Sequence, residues 1–172
     1  MTLKEKALKI KAIVLDVDGV LTDGKIGYSQ TNDEIKFFDV KDGFAINLAL
    51  KAGFEVGILS GRESKANRIR GQELGFTFVY EGEKNKSKGF DRLLVEHGLQ
   101  DYECLYIGDD IIDIQVLKRA GVAVVPNDAV KEIDNFYDFK TSACGGKGAV
   151  REAIVWLLKE TGKWDSLIQK YL

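Results

Sequence analysis

AIVLDVDGVLTDG, residues 12 to 24, runs four apolar residues straight into an acidic loop punctuated by glycine. An apolar run without polar alternation is the signature of a strand buried on both faces, the form strands take in a parallel sheet covered by helices. Ligands of such sheets bind beyond the carboxyl ends of the strands, so the acids closing this run stand where chemistry collects. Alternate side chains of an extended chain share a face, which aims Asp16 and Asp18 one way and Val17 the other.

The same reading extends outward. Short apolar runs recur at Glu55 to Leu59, Phe76 to Tyr80, Cys104 to Ile107 and Val122 to Val125, each predicting a buried strand. Between them lie segments with helical spacing: Phe44, Ile46, Ala49 and Leu50; then Phe90, Leu93 and Leu94; then Ile111, Ile114, Val116 and Leu117. Ala149, Val150, Ala153, Ile154, Leu157 and Leu158 predict a last helix that Gly162 ends. Alternating strand and helix predict an α/β fold, a doubly wound, Rossmann-like parallel sheet. Residues 25–40 depart from this rhythm: KIGYSQ and EIKFFDV flank the polar turn Thr31-Asn32-Asp33 and predict a β-hairpin insert. No repeat, linker or low-complexity stretch divides the chain. The expectation is a single domain, 1–172, with that insert and a C-terminal tail from 161 to 172.

Composition narrows the partners. With 172 residues, 45% of them hydrophobic, the chain can bury a sizeable core. Its 25 Lys and Arg against 27 Asp and Glu leave a net charge of -2, which gives no overall pull toward nucleic acid or anionic membranes. A small molecule is the expected partner. Cys104 and Cys144 lack metal-ligand spacing and read as reduced thiols, and the N-terminus carries neither a signal pattern nor an apolar span, which together predict a cytoplasmic location.

Each strand end then supplies a group. Ser60-Gly61-Arg62 follows the second run at the expected opening of a helix, where a hydroxyl and free N–H groups suit phosphate. Lys86 follows the third, and Gly108-Asp109-Asp110-Ile111-Ile112-Asp113 the fourth. The set suits transfer of a phosphoryl group to a carboxylate, with a cation to cancel the repulsion between a phosphate dianion and an anionic nucleophile. Magnesium is the expected ion, held by Asp16, Asp18 and Asp109 with a backbone carbonyl, water and substrate phosphate completing its oxygen shell, and with Asp110 and Asp113 behind them. Asp16 is the candidate nucleophile, Asp18 the acid and then the base, and Ser60 and Lys86 the holders of the transferring oxygens. Taken singly, each motif also reads as turn chemistry, a helix cap or a surface lysine; their order after successive strands separates the readings. His97, before Gly98, is expected to cap carbonyls at a helix end, and Cys104 to be core.

DVDGVLTDG at 16 to 24, SGR at 60 to 62, Lys86 within NKSKGF and GDDIID at 108 to 113 resemble, in order, the four motifs of the haloacid dehalogenase superfamily. DVDGVLTDG, FFDVKDG, ILSGR and GGKGAVRE are similar to the 3-deoxy-D-manno-octulosonate 8-phosphate phosphatases, over nearly the whole chain. The resemblance implies a phosphatase acting on an eight-carbon sugar acid phosphate, a step toward bacterial lipopolysaccharide. Superfamily members usually carry a cap domain between motifs; residues 24 to 54 and 63 to 85 leave no room for one. In capless relatives a homotetramer closes the site through the hairpin, which implies the same assembly here, with the hairpin and C-terminal tail at the contacts and Phe37 and Phe38 as candidates for burial. The resemblance also implies sugar contacts from Asp18, Asp39, Val40, Lys41, Asp42, Gly43, Asn47, Gly61, Arg62, Arg70 and Lys86, with a helix start expected at Asp42-Gly43 to offer N–H groups to hydroxyl or anionic oxygens, although relatives often have Arg where Lys41 stands. Gly145-Gly146-Lys147-Gly148 reads either as an anion-binding loop or as a flexible turn before the last helix.

Three other readings remain open on sequence. A phosphatase for a nine-carbon keto sugar acid 9-phosphate, or for another small phosphate ester, would use the same chemistry. A receiver domain also gathers acids, a hydroxyl and a lysine above a doubly wound sheet, but Lys86 follows the third strand and not the last. A phosphosugar-binding or oligomerisation module would have no need for Asp16, Asp18, Lys86 and Asp109 together.

Overall fold

A computed structural model describes residues 1–172. Ala12–Leu15 forms β1, Glu55–Leu59 β4, Phe78–Tyr80 β5, Cys104–Ile107 β6, Val122–Val125 β7 and Phe139–Lys140 β8. These six strands pair in the order β5-β4-β1-β6-β7-β8, all parallel. The helices are α1 (Leu3–Ala7), α2 (Val40–Lys51), α3 (Lys65–Leu74), α4 (Lys86–His97), α5 (Ile114–Leu117), α6 (Ala149–Glu160) and α7 (Trp164–Ile168).

Burial follows the period of two along a strand. Ile13 and Leu15 of β1 face one core with Ala45, Ile46 and Ala49 of α2 and Val150, Ile154 and Leu157 of α6. Ala12 and Val14 face the other, against Phe90 and Leu93 of α4 and Val116 and Leu117 of α5. Both faces of the sheet are therefore covered, which is why its central strands carry no polar alternation. The architecture is the expected α/β, doubly wound, Rossmann-like fold with a small hairpin insert and no cap domain. Register sets the site: Leu15 lies opposite both Ile58 and Ile107, so the chain leaves β1, β4 and β6 at one level.

Several boundaries differ from those expected. The third run enters the sheet only at Phe78, because the Phe76 N–H is taken by the Gly71 carbonyl as α3 closes. Residues 139 and 140 add a sixth strand too short to show in the sequence. α2 begins at Val40, two residues before the expected start at Asp42, because the Asp39 carboxylate accepts from the N–H groups of Lys41 and Asp42. α3 begins at Lys65, which leaves Ser60-Gly61-Arg62 in a loop and not at a helix opening. His97 does not cap carbonyls; its Nδ1 lies 2.6 Å from Glu55 Oε2 and its ring packs edge-on against Phe78. The tail folds back after Gly162 as α7.

The insert is a hairpin of two-residue strands, β2 (Gly27–Tyr28) and β3 (Glu34–Ile35), antiparallel with Tyr28 opposite Glu34. Asn32 takes the left-handed conformation in its turn. Phe37 stands 81% exposed, whereas Phe38 packs on the core of its own domain with the Arg70 guanidinium 5.7 Å from its ring. The two adjacent aromatics thus part company, one inward and one to the surface.

Candidate active site

Four chain segments meet beyond the carboxyl ends of β1, β4 and β6. Asn85 caps α4 by accepting from the Lys88 N–H, and this places Lys86 in the first turn with its side chain buried. Lys86 Nζ lies 2.8 Å from Asp16 Oδ2 and 2.6 Å from Asp113 Oδ1. Asp113 also accepts from the Tyr106 hydroxyl at 2.5 Å and from the N–H groups of Asp109 and Asp110 at 2.9 and 3.1 Å. Both oxygens of Asp113 are therefore spent on protein donors, while Asp110 is exposed and caps the turn Ile111–Asp113.

Oxygen atoms of Asp16, Asp109 and Asp113 lie within 4.8 Å of one another. Asp109 Oδ1 is buried and has no hydrogen-bond partner, a costly condition for a carboxylate unless a cation meets it. Clustered carboxylate oxygens without His or Cys suit a hard cation such as magnesium. The electrostatics agree. Burial raises the carboxyl of Asp16, with Asp113 adding to the rise and Lys86 opposing it. Burial also raises Asp109, reinforced by Asp16 and Asp113. For Lys86, burial alone would lower the ammonium, but Asp16 and Asp113 more than offset it and the net shift is upward. Asp16 and Asp109 are thus both short of positive charge, although Lys86 already lies against Asp16.

Glycine makes the cluster possible. Gly19 has φ +91, and a Cβ there would lie 2.0 Å from Asp109 Oδ2, so the β1 loop can lie against that carboxylate only without a side chain. Gly145 presses on the same loop from behind, its Cβ position 1.8 Å from the Gly19 carbonyl oxygen. The N–H groups of Gly145, Gly146 and Gly148 bond to Asp128, Val20 and Asp42. With its amides occupied, segment 145 to 148 is a supporting turn and offers no anion nest. Ser60 is buried; its N–H bonds the Tyr80 carbonyl at 2.8 Å and its Oγ accepts from the Arg62 N–H at 3.3 Å.

Asp18 is not among the three clustered carboxylates. Its Oδ1 lies 2.7 Å from Lys36 Nζ and its Oδ2 3.7 Å from Arg62 Nε. Lys36 Nζ also lies 3.3 Å from Glu34 Oε1, and Arg62 Nη2 donates to Glu34 Oε2 at 2.8 Å. The hairpin thus delivers two charged residues, Glu34 and Lys36, that sequence reading passed over because they sit in an ordinary alternating strand pattern. Tyr106 was equally silent, an aromatic inside an apolar run.

The expected sugar contacts divide. Val40 and Lys41 are exposed beside the hairpin, and Arg62 reaches the Asp18 group. The Asp42 carboxylate is turned away from solvent: it accepts from the Gly148 N–H at 3.3 Å and the Arg151 N–H at 2.7 Å, so α2 caps the start of α6. Burial raises its carboxyl to about 6. Arg70 lies over Gly43, donating to the Asp39 carbonyl and to Glu73, and Asn47 Nδ2 donates to the Gly43 carbonyl. These residues brace the start of α2.

Known proteins place this arrangement. Residues 59–154 match the haloacid dehalogenase-like hydrolase family. The chain is 40% identical over 160 residues to the 3-deoxy-D-manno-octulosonate 8-phosphate phosphatase of Escherichia coli K12, covering 93% of this chain and 85% of that protein. A crystal structure of the Moraxella catarrhalis phosphatase of that name, in complex with magnesium, phosphate and KDO, superposes with a TM-score of 0.95 at 32% identity, covering 98% of this chain and 97% of that one. The cobalt-bound Haemophilus influenzae phosphatase matches with a TM-score of 0.88 at 36% identity, covering 92% of each chain. With its motifs at the ends of successive parallel strands and identity sustained over nearly its full length, the chain belongs to the haloacid dehalogenase-like hydrolases, in the 3-deoxy-D-manno-octulosonate 8-phosphate phosphatase family.

Proposed function

We propose that this chain is a magnesium-dependent phosphomonoesterase that hydrolyses 3-deoxy-D-manno-octulosonate 8-phosphate to the free sugar and phosphate through a phosphorylated Asp16. The observation that carries the reading is Asp16, held by Lys86 at 2.8 Å beside the unpartnered buried oxygen of Asp109. A donor set of Asp16 and Asp109 with Asp113 close behind would hold the magnesium ion, which supplies positive charge to a phosphate approaching an anionic nucleophile. The expected carboxylate of Asp18 stands apart from this set, so its contribution to the ion is left to its backbone.

The chain's own residues divide the remaining work. Lys86 fixes one oxygen of Asp16 and leaves the other to attack phosphorus in line with the departing sugar oxygen. Asp18 gives its proton to that oxygen as the P–O bond breaks, and the sugar alcohol leaves. The same carboxylate then takes a proton from water as the water oxygen attacks the phosphorus on Asp16, which regenerates the Asp16 carboxylate and releases phosphate. Ser60 and the Gly61 and Arg62 loop face the transferring oxygens, with Lys86 adding charge. Asp113 takes no part in bond making; it keeps Lys86 and the Asp109 loop in place.

Relatives named for this substrate at 40% identity support the octulosonate ester, and exposed Lys41 and Arg62 offer the sugar acid polar contacts beside the apolar surface of Val40. Asp39, Asp42, Gly43, Asn47 and Arg70 support that surface from beneath. Exposed Tyr28, Phe37 and Val40 on and beside the hairpin favour a homotetramer in which neighbouring copies cover the open site. No helix is long and apolar enough to cross a membrane.

Phosphate release from the octulosonate 8-phosphate with and without Mg2+ tests the reading. Asp16→Asn is expected to lose at least about a thousandfold in kcat, and full activity in that variant would remove the nucleophile. Equal turnover on the nine-carbon 9-phosphate and on simple phosphate esters would remove the substrate assignment while leaving the chemistry.

A further inference from the structure

Lys36 has a wholly buried side chain, yet it sits on the small hairpin and not in the sheet. A buried ammonium survives only beside compensating negative charge, and here two carboxylates supply it: Asp18 Oδ1 accepts a hydrogen bond at 2.7 Å, and Glu34 Oε1 lies 3.3 Å away as an ion pair without a hydrogen bond. Arg62 closes the group through Glu34 at 2.8 Å and approaches Asp18 Oδ2 only to 3.7 Å. The charges balance, two cations against two anions, so Glu34 shares the positive charge that Asp18 would otherwise meet alone. Only one of the two Asp18 oxygens is tied by a hydrogen bond.

That asymmetry bears on the proton transfers assigned to Asp18 in the proposed mechanism, on which this inference rests. A carboxyl that donates and then accepts a proton needs one oxygen anchored in both states and the other free to carry hydrogen. An N–H donor to Oδ1 meets this condition, since Oδ1 accepts whether the group is charged or neutral. We propose that Lys36 is a positioning residue for the acid–base step: it anchors Asp18 Oδ1, leaves Oδ2 as the proton carrier, and, seated by Glu34, makes that geometry depend on the hairpin. Lys36 has no exposed side-chain surface and so does not touch the sugar; its effect is on turnover and not on substrate affinity.

The test separates proton delivery from general damage by changing the leaving group. A sugar alcohol must be protonated as it departs, whereas 4-nitrophenolate leaves without help. Lys36→Met keeps the buried stem and removes the ammonium. In rapid-quench measurements of the first turnover with saturating Mg2+, it is expected to slow the octulosonate ester by about thirtyfold or more and 4-nitrophenyl phosphate by less than about threefold, a fraction of what general acid catalysis supplies. KM for the sugar ester stays unchanged, and Lys36→Arg recovers part of the loss. Equal slowing of both esters, or a change confined to KM, overturns the proposal. Should Lys36→Met fail to fold, Glu34→Gln is read by the same ratio of the two esters, and a ratio equal to that of the unmodified protein is again a refutation. Unmodified protein that turns over neither ester with Mg2+ would instead fail the phosphatase reading itself.

Discussion

Replacing Gly19 with alanine puts the geometry of the site to a quantitative test. The added Cβ would lie 2.0 Å from Asp109 Oδ2 and 2.5 Å from its Cγ. Ordinary contact would force that carboxylate back by more than about 1 Å, a misplacement that typically costs on the order of a hundredfold in rate. At 1.36 kcal/mol per tenfold, this is about 3 kcal/mol of transition-state stabilisation. The φ of +91 adds a separate folding cost of about 1–2 kcal/mol for any L side chain. Gly24→Ala provides the control: its φ is +77, but the nearest atoms to its Cβ are backbone atoms of Gly19 at 3.8 Å. The expectation is that both variants lose comparable stability in thermal melts, while only Gly19→Ala weakens Mg2+ binding, by about ten- to a hundredfold in calorimetric titration, as disturbances around metal ligands do. A Gly19→Ala protein that binds Mg2+ and releases phosphate like the parent would refute the placement of Asp109 against the β1 loop. Equal loss of Mg2+ affinity in Gly24→Ala would assign the effect to strain instead.

Two further outcomes follow from the buried carboxylates. Asp42 has its carboxyl raised from 3.8 to about 6, so between those values the folded chain holds a proton that the unfolded chain has released. Stability must then fall as pH rises through that window, by up to ~3 kcal/mol from this group. Chemical denaturation from pH 3.5 to 7 should show Asp42→Asn gaining on the parent across the interval, and parallel curves would contradict the raised carboxyl. Mg2+ at about a hundred times its dissociation constant should raise the folding free energy by ~2.7 kcal/mol, and chelation should reverse it. Asp109→Asn should abolish that response in a melting assay; an undiminished shift would place the ion elsewhere.

The strands of the sheet were legible because their chemistry is local. A strand buried on both faces must be apolar throughout, so Ala12–Leu15, Glu55–Leu59, Cys104–Ile107 and Val122–Val125 announce themselves. Once the sheet is parallel, the ends of its strands share one edge, and Asp16, Lys86 and Asp109 come together from residues up to 93 positions apart by topology alone. The expected helix start at Asp42 misled because a cap belongs to whichever carboxylate reaches the free amides, and Asp39 reached them first. The alternation rule that aimed Asp16 and Asp18 together applies to extended chain; past Leu15 the chain turns, and the two carboxylates take different partners.

What the sequence by itself determined was the class of fold, the family and the order along the chain of the groups that cluster at the strand ends, since periodicity and motif spacing are properties of neighbours along the chain. Only the tertiary structure decided who holds those groups: Lys36 on Asp18, Tyr106 on Asp113, Asp42 on the start of α6. Burial, and with it the energy of an ion pair or an unpaired oxygen, arises from segments distant in sequence, so a lysine in a hairpin and a lysine on the surface read alike until the chain has closed around one of them.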